Sequence, residues 1–286
     1  MSGVPAGRAL RATGAEVFSN IMTDQLLELI QKATIYDLAQ PYFLGMPHHP
    51  VHPPFLYGLV KKHGEYVAPG GGSSASEALA LGAHVGTHID ALCHFSRDGR
   101  LHDGAEVAHA QSNAFGLSRL SVDTIQPIFR RGVLLDIAGL ERVDVLPADF
   151  TVTPEHLERT VQSQGVQLRP GDVILLRTGW ARYWADAGLF ISQVHGPGPD
   201  EAGSRWISSK GAFAAGSDTV AFEKVPSPTM PGHVHLLVEK GIHIIECLNL
   251  EELAADRVWN FIFAAAPLKI RGGTGSPIRP LALTLK

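Results

Sequence analysis

His84-Val85-Gly86-Thr87-His88-Ile89-Asp90-Ala91-Leu92-Cys93-His94-Phe95 is the stretch on which the reading of this chain turns. It sets three histidines and an aspartate within eleven positions of an otherwise apolar run. Imidazoles and carboxylates are ligands of zinc and similar divalent ions, and buried polar groups are costly unless something pairs with them. A single cation would satisfy all four. His84, His88, Asp90 and His94 share even parity, and in an extended chain such side chains point to one face. A helix would bring His84 and His88 together but carry Asp90 round the cylinder, and Gly86, Thr87 and Ile89 disfavour helix. The pattern therefore predicts a strand, Leu79 to Val85, running into a bent extended segment. A straight strand would hold His84 and His88 roughly 13 Å apart at about 3.3 Å per residue. That is too far for two ligands that each reach about 2 Å to one ion. Gly86 is the natural place for the bend. Cys93 has the opposite parity and reads as a small buried apolar residue.

Composition narrows the class. The 286 residues can bury a substantial core; residues 1–18, rich in Gly and Ala, read as a loose arm and residues 19–286 as a single domain. Charged residues make up 18%, below the usual quarter, which favours a homodimer or homotetramer. A net charge of −4 gives no electrostatic case for nucleic acid or an anionic membrane. Cys93 and Cys247 do not make a disulfide framework, so the chain reads as cytoplasmic. No signal-peptide core or membrane-spanning run is visible.

Further along, a helix is expected from Thr23, with Leu26, Leu27, Leu29 and Ile30 as its apolar stripe. The loop Pro41 to Phe55, stiffened by prolines and rich in histidine, either lines a pocket or simply connects. Val133 to Ile137 reads as a buried strand. Thr153-Pro154-Glu155 opens a helix that Gly165 stops. Val173 to Arg177 is a strand, and Asp200 caps a helix running to about Lys210. Later strands are expected at Thr219–Phe222, Ile242–Leu248 and Trp259–Ala265. Strands and helices in irregular alternation give a mixed α/β fold. No Gly-rich nucleotide loop or G-x-S-x-G elbow follows a strand.

A second group lies at Met230-Pro231-Gly232-His233-Val234-His235 and Gly241 to Leu250. Ile242, Ile244, Glu246 and Leu248 share parity, so Glu246 falls on a face that otherwise reads as core. A buried carboxylate needs a partner: a metal, a histidine, or a salt bridge to Arg177 or Lys224. His243, of opposite parity, is expected to be exposed.

Together these segments resemble the metal-dependent cyclase-like hydrolases, the family of bacterial kynurenine formamidase and isatin hydrolase. The likeness runs from about Tyr36 to Pro267. It rests on the match of H-V-G-T-H-I-D-A-L-C-H-F to H-x-G-T-H-x-D-A-x-x-H-F, with weaker agreement at Leu44–Pro47, Arg177–Trp180, Gly216–Thr219 and Gly241–Leu250. The resemblance implies a swivelling β/β/α fold with a barrel-like mixed sheet and flanking helices, and a dimer or larger assembly. It implies that His84, His88 and Asp90 bind the metal, that His94 acts in catalysis or helps hold a second ion, and that Glu246 joins a second site or orients active groups. The family's further ligand falls at Val234 in ungapped register, which leaves His233 and His235 as candidates. The family's E-N-L is here Glu246-Cys247-Leu248.

The chemistry of the residues agrees. Three protein ligands with open positions make a catalytic site, at which bound water has its pKa lowered towards about 7. His94, whose ordinary pKa is near neutral, is the candidate base, and Glu246 would orient it or a ligand. The expected activity is hydrolysis of an amide C–N bond in a small molecule, either a cyclic amide or an N-formyl aryl amine. Rival readings are a metal-dependent lyase, dehydratase or cyclase on the same site, and a metal-binding protein without catalysis. Zinc and manganese suit the donor set equally. Phe55, Trp180 and His195 are candidates for an aromatic substrate pocket.

Overall fold

A computed structural model describes residues 14–285 of the chain. Most of the expected arm, residues 1–13, lies outside the described residues. The strands used below are β1 (Thr34–Asp37), β2 (Leu56–Lys61), β3 (Ser76–Ala80), β4 (His88–Asp90), β5 (Ile128–Asp136), β6 (Val173–Arg177), β7 (Ala214–Ser217), β8 (His243–Glu246), β9 (Asn260–Ala265), β10 (Gly275–Pro277) and β11 (Leu281–Thr284). Nine of them form one sheet in the order β1-β11-β9-β5-β6-β7-β8-β4-β10. β5 to β8 are parallel neighbours and the flanking pairs are antiparallel. The result is the expected mixed α/β architecture, a sheet curled into a half-barrel with flanking helices.

The strands at the sheet's centre are buried on both faces, which is why they read as unbroken apolar runs. Leu134, Leu175 and Ile245 face one core with Ile89 and Phe263. Val133, Leu135, Ile174, Leu176 and Ile244 face another, closed by Leu157 and Ile207. Those two come from helices α2 (Pro154–Gln164) and α3 (Glu201–Ser209). The ends of α2 follow from local chemistry. Thr153 and His156 make a reciprocal capping box, and Gly165 ends the helix in the left-handed region at φ 64°. Asp200 caps α3 through the Gly203 amide at 2.7 Å.

Several expectations need correction. Helix α1 spans Gly14–Lys32, so Thr23 lies inside it, and Gly14 to Phe18 of the expected arm form its first turns. Leu26, Leu27, Leu29 and Ile30 are exposed instead of facing a core. Strand β3 stops at Ala80, well short of Val85. Thr219–Phe222 is irregular, and the strand lies just upstream as β7. There the Thr219 hydroxyl meets the Ser217 hydroxyl at 2.7 Å and donates to the Ala221 carbonyl at 2.6 Å. Such local bonds compete with the ladder.

Candidate metal centre

β4 lies between β8 and β10, and its register decides what meets in the site. His88 pairs with Glu246 and Asp90 with Ile244. Directly opposed residues share a face, so His88, Asp90 and Glu246 stand together while Ile89 enters the core behind them. Gly86, at φ 71°, makes the bend ahead of the strand. The Tyr42 hydroxyl, within reach of both the Val85 and Thr87 carbonyls at 2.9 and 3.1 Å, holds the two sides of the bend. Thr87 is tied to the other side of the site, its hydroxyl donating to the Cys247 carbonyl at 2.6 Å.

This bend folds His84 back over the strand. Its Nδ1 lies 2.7 Å from Asp90 Oδ1, and its Nε2 lies 2.8 Å from the Thr274 hydroxyl. His88 donates from Nδ1 to the Gly86 carbonyl at 2.8 Å. A carbonyl only accepts, so the proton sits on Nδ1 and the Nε2 lone pair points inward. That Nε2 is 3.5 Å from Asp90 Oδ1 and 3.4 Å from Glu246 Oε2. His88 Nε2 and Asp90 Oδ2 are buried without a hydrogen-bond partner among the described residues. Two such buried orphans in one cluster test whether a divalent cation suits the site, and it does: it needs the bare lone pairs that cost free energy unmet.

The inward atoms form two overlapping triads. His84, His88 and Asp90 make one; Asp90, His233 and Glu246 make the other, with donor atoms in each set within 4.8 Å of one another. His233 Nε2 lies 3.2 Å from Glu246 Oε1 and 3.9 Å from Asp90 Oδ2. Glu246 is fixed by the Phe222 amide at 2.7 Å. His94 stacks on His84 with ring centroids 3.8 Å apart.

The electrostatics follow from this crowding. Burial works against the Asp90 carboxylate, yet the imidazoles of His94, His84 and His88 hold its pKa well below the ordinary range. Burial pulls His94 down to about 3 against the opposing charge of Asp90, so it is neutral at pH 7. His233 moves the other way, to about 10, because Glu223 and Glu246 outweigh its burial.

A cavity of ≈ 290 Å³ opens beside the two triads. Its polar wall is His49, His52, His84, His94, His233 and Glu246; Val51, Phe95, Val220, Val225 and Met230 supply the apolar wall. Of the sequence candidates, His84, His88, Asp90, His94, His233 and Glu246 are brought together. His235 is not: it bonds Ser208 Oγ at 2.8 Å and Glu239 at 2.7 Å, joining α3 to the helical turn at 234–240. Phe55 and Trp180 are packed in a core cluster with Met46 and Phe190. His195 is exposed and bonds its own loop. Arg177 pairs with Asp136 and Glu251 at 2.8 Å each, not with Glu246. His243 is half-buried, donating to the Asp90 carbonyl at 2.9 Å. Sequence reasoning missed Glu223 and left open whether the loop bearing His49 and His52 lines a pocket; it does. The histidine-rich loop carried a signal for the last two, whereas an isolated Glu223 carried none.

The chain is similar to several known proteins. A family model described as "Putative cyclase" matches residues 36–224. An isatin hydrolase from Roseibium aggregatum is 27% identical over 216 residues, 73% of this chain and 74% of that protein. A kynurenine formamidase from Bacillus cereus is 26% identical over 243 residues, 85% of this chain and 94% of that protein. The crystal structure of a novel cyclase superposes with a TM-score of 0.82 at 28% identity, covering 92% of this chain and 90% of its own. An isatin hydrolase bound to the product analogue thioisatinate shares the fold, with a TM-score of 0.69 at 22% identity over 96% of this chain and 100% of its own.

Proposed function

This chain belongs to the cyclase family, and we propose that it acts as a metal-dependent amidohydrolase, cleaving the amide C–N bond of a cyclic amide or an N-formyl aryl amine. The observation that carries this reading is the pair of buried, unpartnered atoms, His88 Nε2 and Asp90 Oδ2, in a cluster whose donor atoms lie within 4.8 Å of one another. His84 through Nδ1, His88 through Nε2 and Asp90 would hold the ion. When bound, a divalent cation polarises a carbonyl and acidifies water towards neutrality. Zinc or manganese suits two imidazoles and a carboxylate. His94 lines the cavity and stacks on His84, and it would take a proton from the attacking water through a ring nitrogen. The same imidazolium then returns that proton to the leaving nitrogen as the C–N bond breaks. Phe95, Val220 and Met230 offer an apolar wall to a flat ring, and ≈ 290 Å³ limits the substrate to a small molecule. The free thiols of Cys93 and Cys247 suit a reducing cytoplasm.

The test is metal analysis of purified protein joined to a panel of isatin-like lactams and N-formyl aryl amines in ¹⁸O-labelled water. Turnover with label in the acid product is expected. Product without label would point to a lyase. Full activity in metal-free His88→Ala or Asp90→Ala would remove the basis of the proposal.

A further inference from the structure

The loop from Pro41 to Phe55 brings two rings to the cavity, His49 and His52, and neither belongs to a triad. Both ends of its histidine-bearing stretch are fastened in the core, where Met46 is 2% and Phe55 8% exposed. Between them Pro47, Pro50, Pro53 and Pro54 fix the backbone. The His52 amide donates to the His49 carbonyl at 2.9 Å and closes a turn. The Pro53 carbonyl accepts from the Gly82 amide at 3.2 Å, tying the loop to the segment that leads into His84. His52 stacks on His84 with centroids 5.1 Å apart, and His49 meets His52 edge-on at 5.9 Å. His49 is therefore a placed side chain and not a loose one.

Its proton is placed as well. The Val51 amide donates to His49 Nδ1 at 3.3 Å. A nitrogen that accepts carries no hydrogen, so the ring is neutral with its proton on Nε2. That Nε2–H has no hydrogen-bond partner among the described residues. The ring thus offers the cavity one uncharged donor.

The rest of the lining decides what such a donor can serve. Among the described residues no lysine or arginine lines the cavity. Its one acid, Glu246, already accepts from the Phe222 amide at 2.7 Å and faces His88 and His233 at 3.4 and 3.2 Å. A charged substituent would be desolvated against Phe95, Val220, Val225 and Met230 with no free group of opposite sign to meet it, which is costly. A neutral oxygen loses less on leaving water and gains the Nε2–H.

We infer that His49 is a specificity-determining residue, donating from Nε2 to a second oxygen of the substrate away from the scissile amide, and that the substrate is an uncharged molecule carrying such an acceptor. This rests on the amidohydrolase reading above and narrows it. The division falls between neutral and charged substrates, not between cyclic amides and open formamides.

The test is kcat/KM of the metal-loaded enzyme on N-formyl aryl amines of one scaffold: formanilide, its ring-acetylated derivatives, and the same ketones extended by an α-amino-acid group. The acetyl group adds the acceptor; the amino acid adds two charges. The wild type should favour the best acetylated compound over formanilide about 3- to 10-fold, the worth of one neutral hydrogen bond. It should reject the amino acid by on the order of 10²-fold relative to that ketone. His49→Phe keeps a ring of similar size without the donor and should erase the preference for the ketone. His49→Gln, whose amide N–H can replace Nε2–H, should restore part of it. His48→Phe, beside it but outside the cavity lining, should keep the wild-type ranking. The inference is overturned if the wild type does not prefer the ketone, if it turns over the amino acid as well as the ketone, or if His49→Phe keeps the preference. Equal loss in His48→Phe would overturn it too, by making the shape of the loop responsible instead of the donor. The wild-type ranking decides even where a variant fails to fold. Turnover without that ranking sinks the role of His49 alone; no turnover of any amide by metal-loaded protein sinks the amidohydrolase reading with it.

Discussion

Gly86→Ala tests the hinge on which the first triad depends, and its cost can be worked from two features. The residue sits at φ 71°, where an L side chain costs about 1–2 kcal/mol. The added Cβ would stand 2.3, 2.4 and 2.6 Å from Cε1, Cζ and the hydroxyl oxygen of Tyr42. That ring has little room to yield, because its hydroxyl holds the carbonyls on both sides of the bend and its edge packs on Phe55 at 5.6 Å. Overpacking of this kind costs typically about 1–3 kcal/mol. The total, about 2–5 kcal/mol, corresponds to a fall in Tm of roughly 3–8 °C for a chain of this size. Thermal unfolding should be followed on stripped protein, since bound cation would raise the Tm by mass action. Cation affinity should fall as well, because His84 lies before the bend and His88 after it. The double variant Tyr42→Ala/Gly86→Ala separates the two terms. It removes the ring, so the clash should vanish and the cycle should show a coupling of about 1–3 kcal/mol. An unchanged Tm and affinity in Gly86→Ala, or strict additivity in the double variant, would refute the account of the hinge.

His94→Ala should keep its metal while kcat falls by about 10²–10⁴; metal loss as large as that of His88→Ala would instead make His94 a ligand. Stripped protein should lose stability as pH falls below about 6.5. His94 and His52, held by burial at about 3 and about 4, are protonated more readily in the unfolded chain, so acid favours unfolding. On the alkaline side His233, raised to about 10 by Glu223 and Glu246 against its burial, gives stability that is full below about pH 6.5 and is lost progressively as pH rises from there to about 10. Tm measured across pH 3–11 should therefore peak near pH 6.5 and fall on both sides, and His94→Ala should flatten its acid edge. A second copy of this chain is the expected cover for the β2–β3 hairpin, where Leu56, Tyr57, Leu59, Val60, Tyr66 and Leu79 are each 45–69% exposed. Six such side chains leave on the order of 600 Å² uncovered, near the ~800 Å² per partner of a standard interface. Sedimentation should give a dimer or larger, and Leu59→Glu/Val60→Glu should shift it to monomer; a monomeric wild type would contradict this.

What the sequence revealed was what is local. Parity placed His88 and Asp90 on one face because both lie in a single short strand; it put Glu246 only on a face that reads as core, and the pairing of β8 with β4 brought that face to the site. The same rule misjudged His243, since parity names a face and not what covers it: the ring lies against the Asp90 carbonyl. His84 reaches the site through a turn and not through strand parity, so only the distance argument, which demanded a bend at Gly86, anticipated its position. Phe55 and Trp180 show a different failure. Large aromatic residues give the same signal in a core as in a pocket, and here they went to the core. Glu223 and His233 are ten residues apart, and no periodicity links a loop acid to a later histidine. Arg177, one of several partners open to Glu246 in the sequence, goes elsewhere because a cation's partner is chosen by tertiary packing, which brought it Asp136 and Glu251.

The site divides into a rigid half and an adaptable half, and the division follows its supporting elements. His88, Asp90 and Glu246 stand on strands paired inside the sheet, so they cannot separate to relieve their mutual desolvation. Leaving His88 Nε2 and Asp90 Oδ2 unpaired costs about 1–3 kcal/mol each, and the surrounding ladder must absorb it. A sheet that tolerates this keeps the lone pairs where a cation needs them. Binding then recovers that cost and requires little reordering of the chain. His84 and His233 are held differently, each by a side chain away from the sheet's centre: Thr274 for one, Glu223 for the other. Their protons must be placed before their lone pairs are useful. Metal affinity should therefore respond most steeply to the strand residues, while proton release on binding should report the state of His84 and His233.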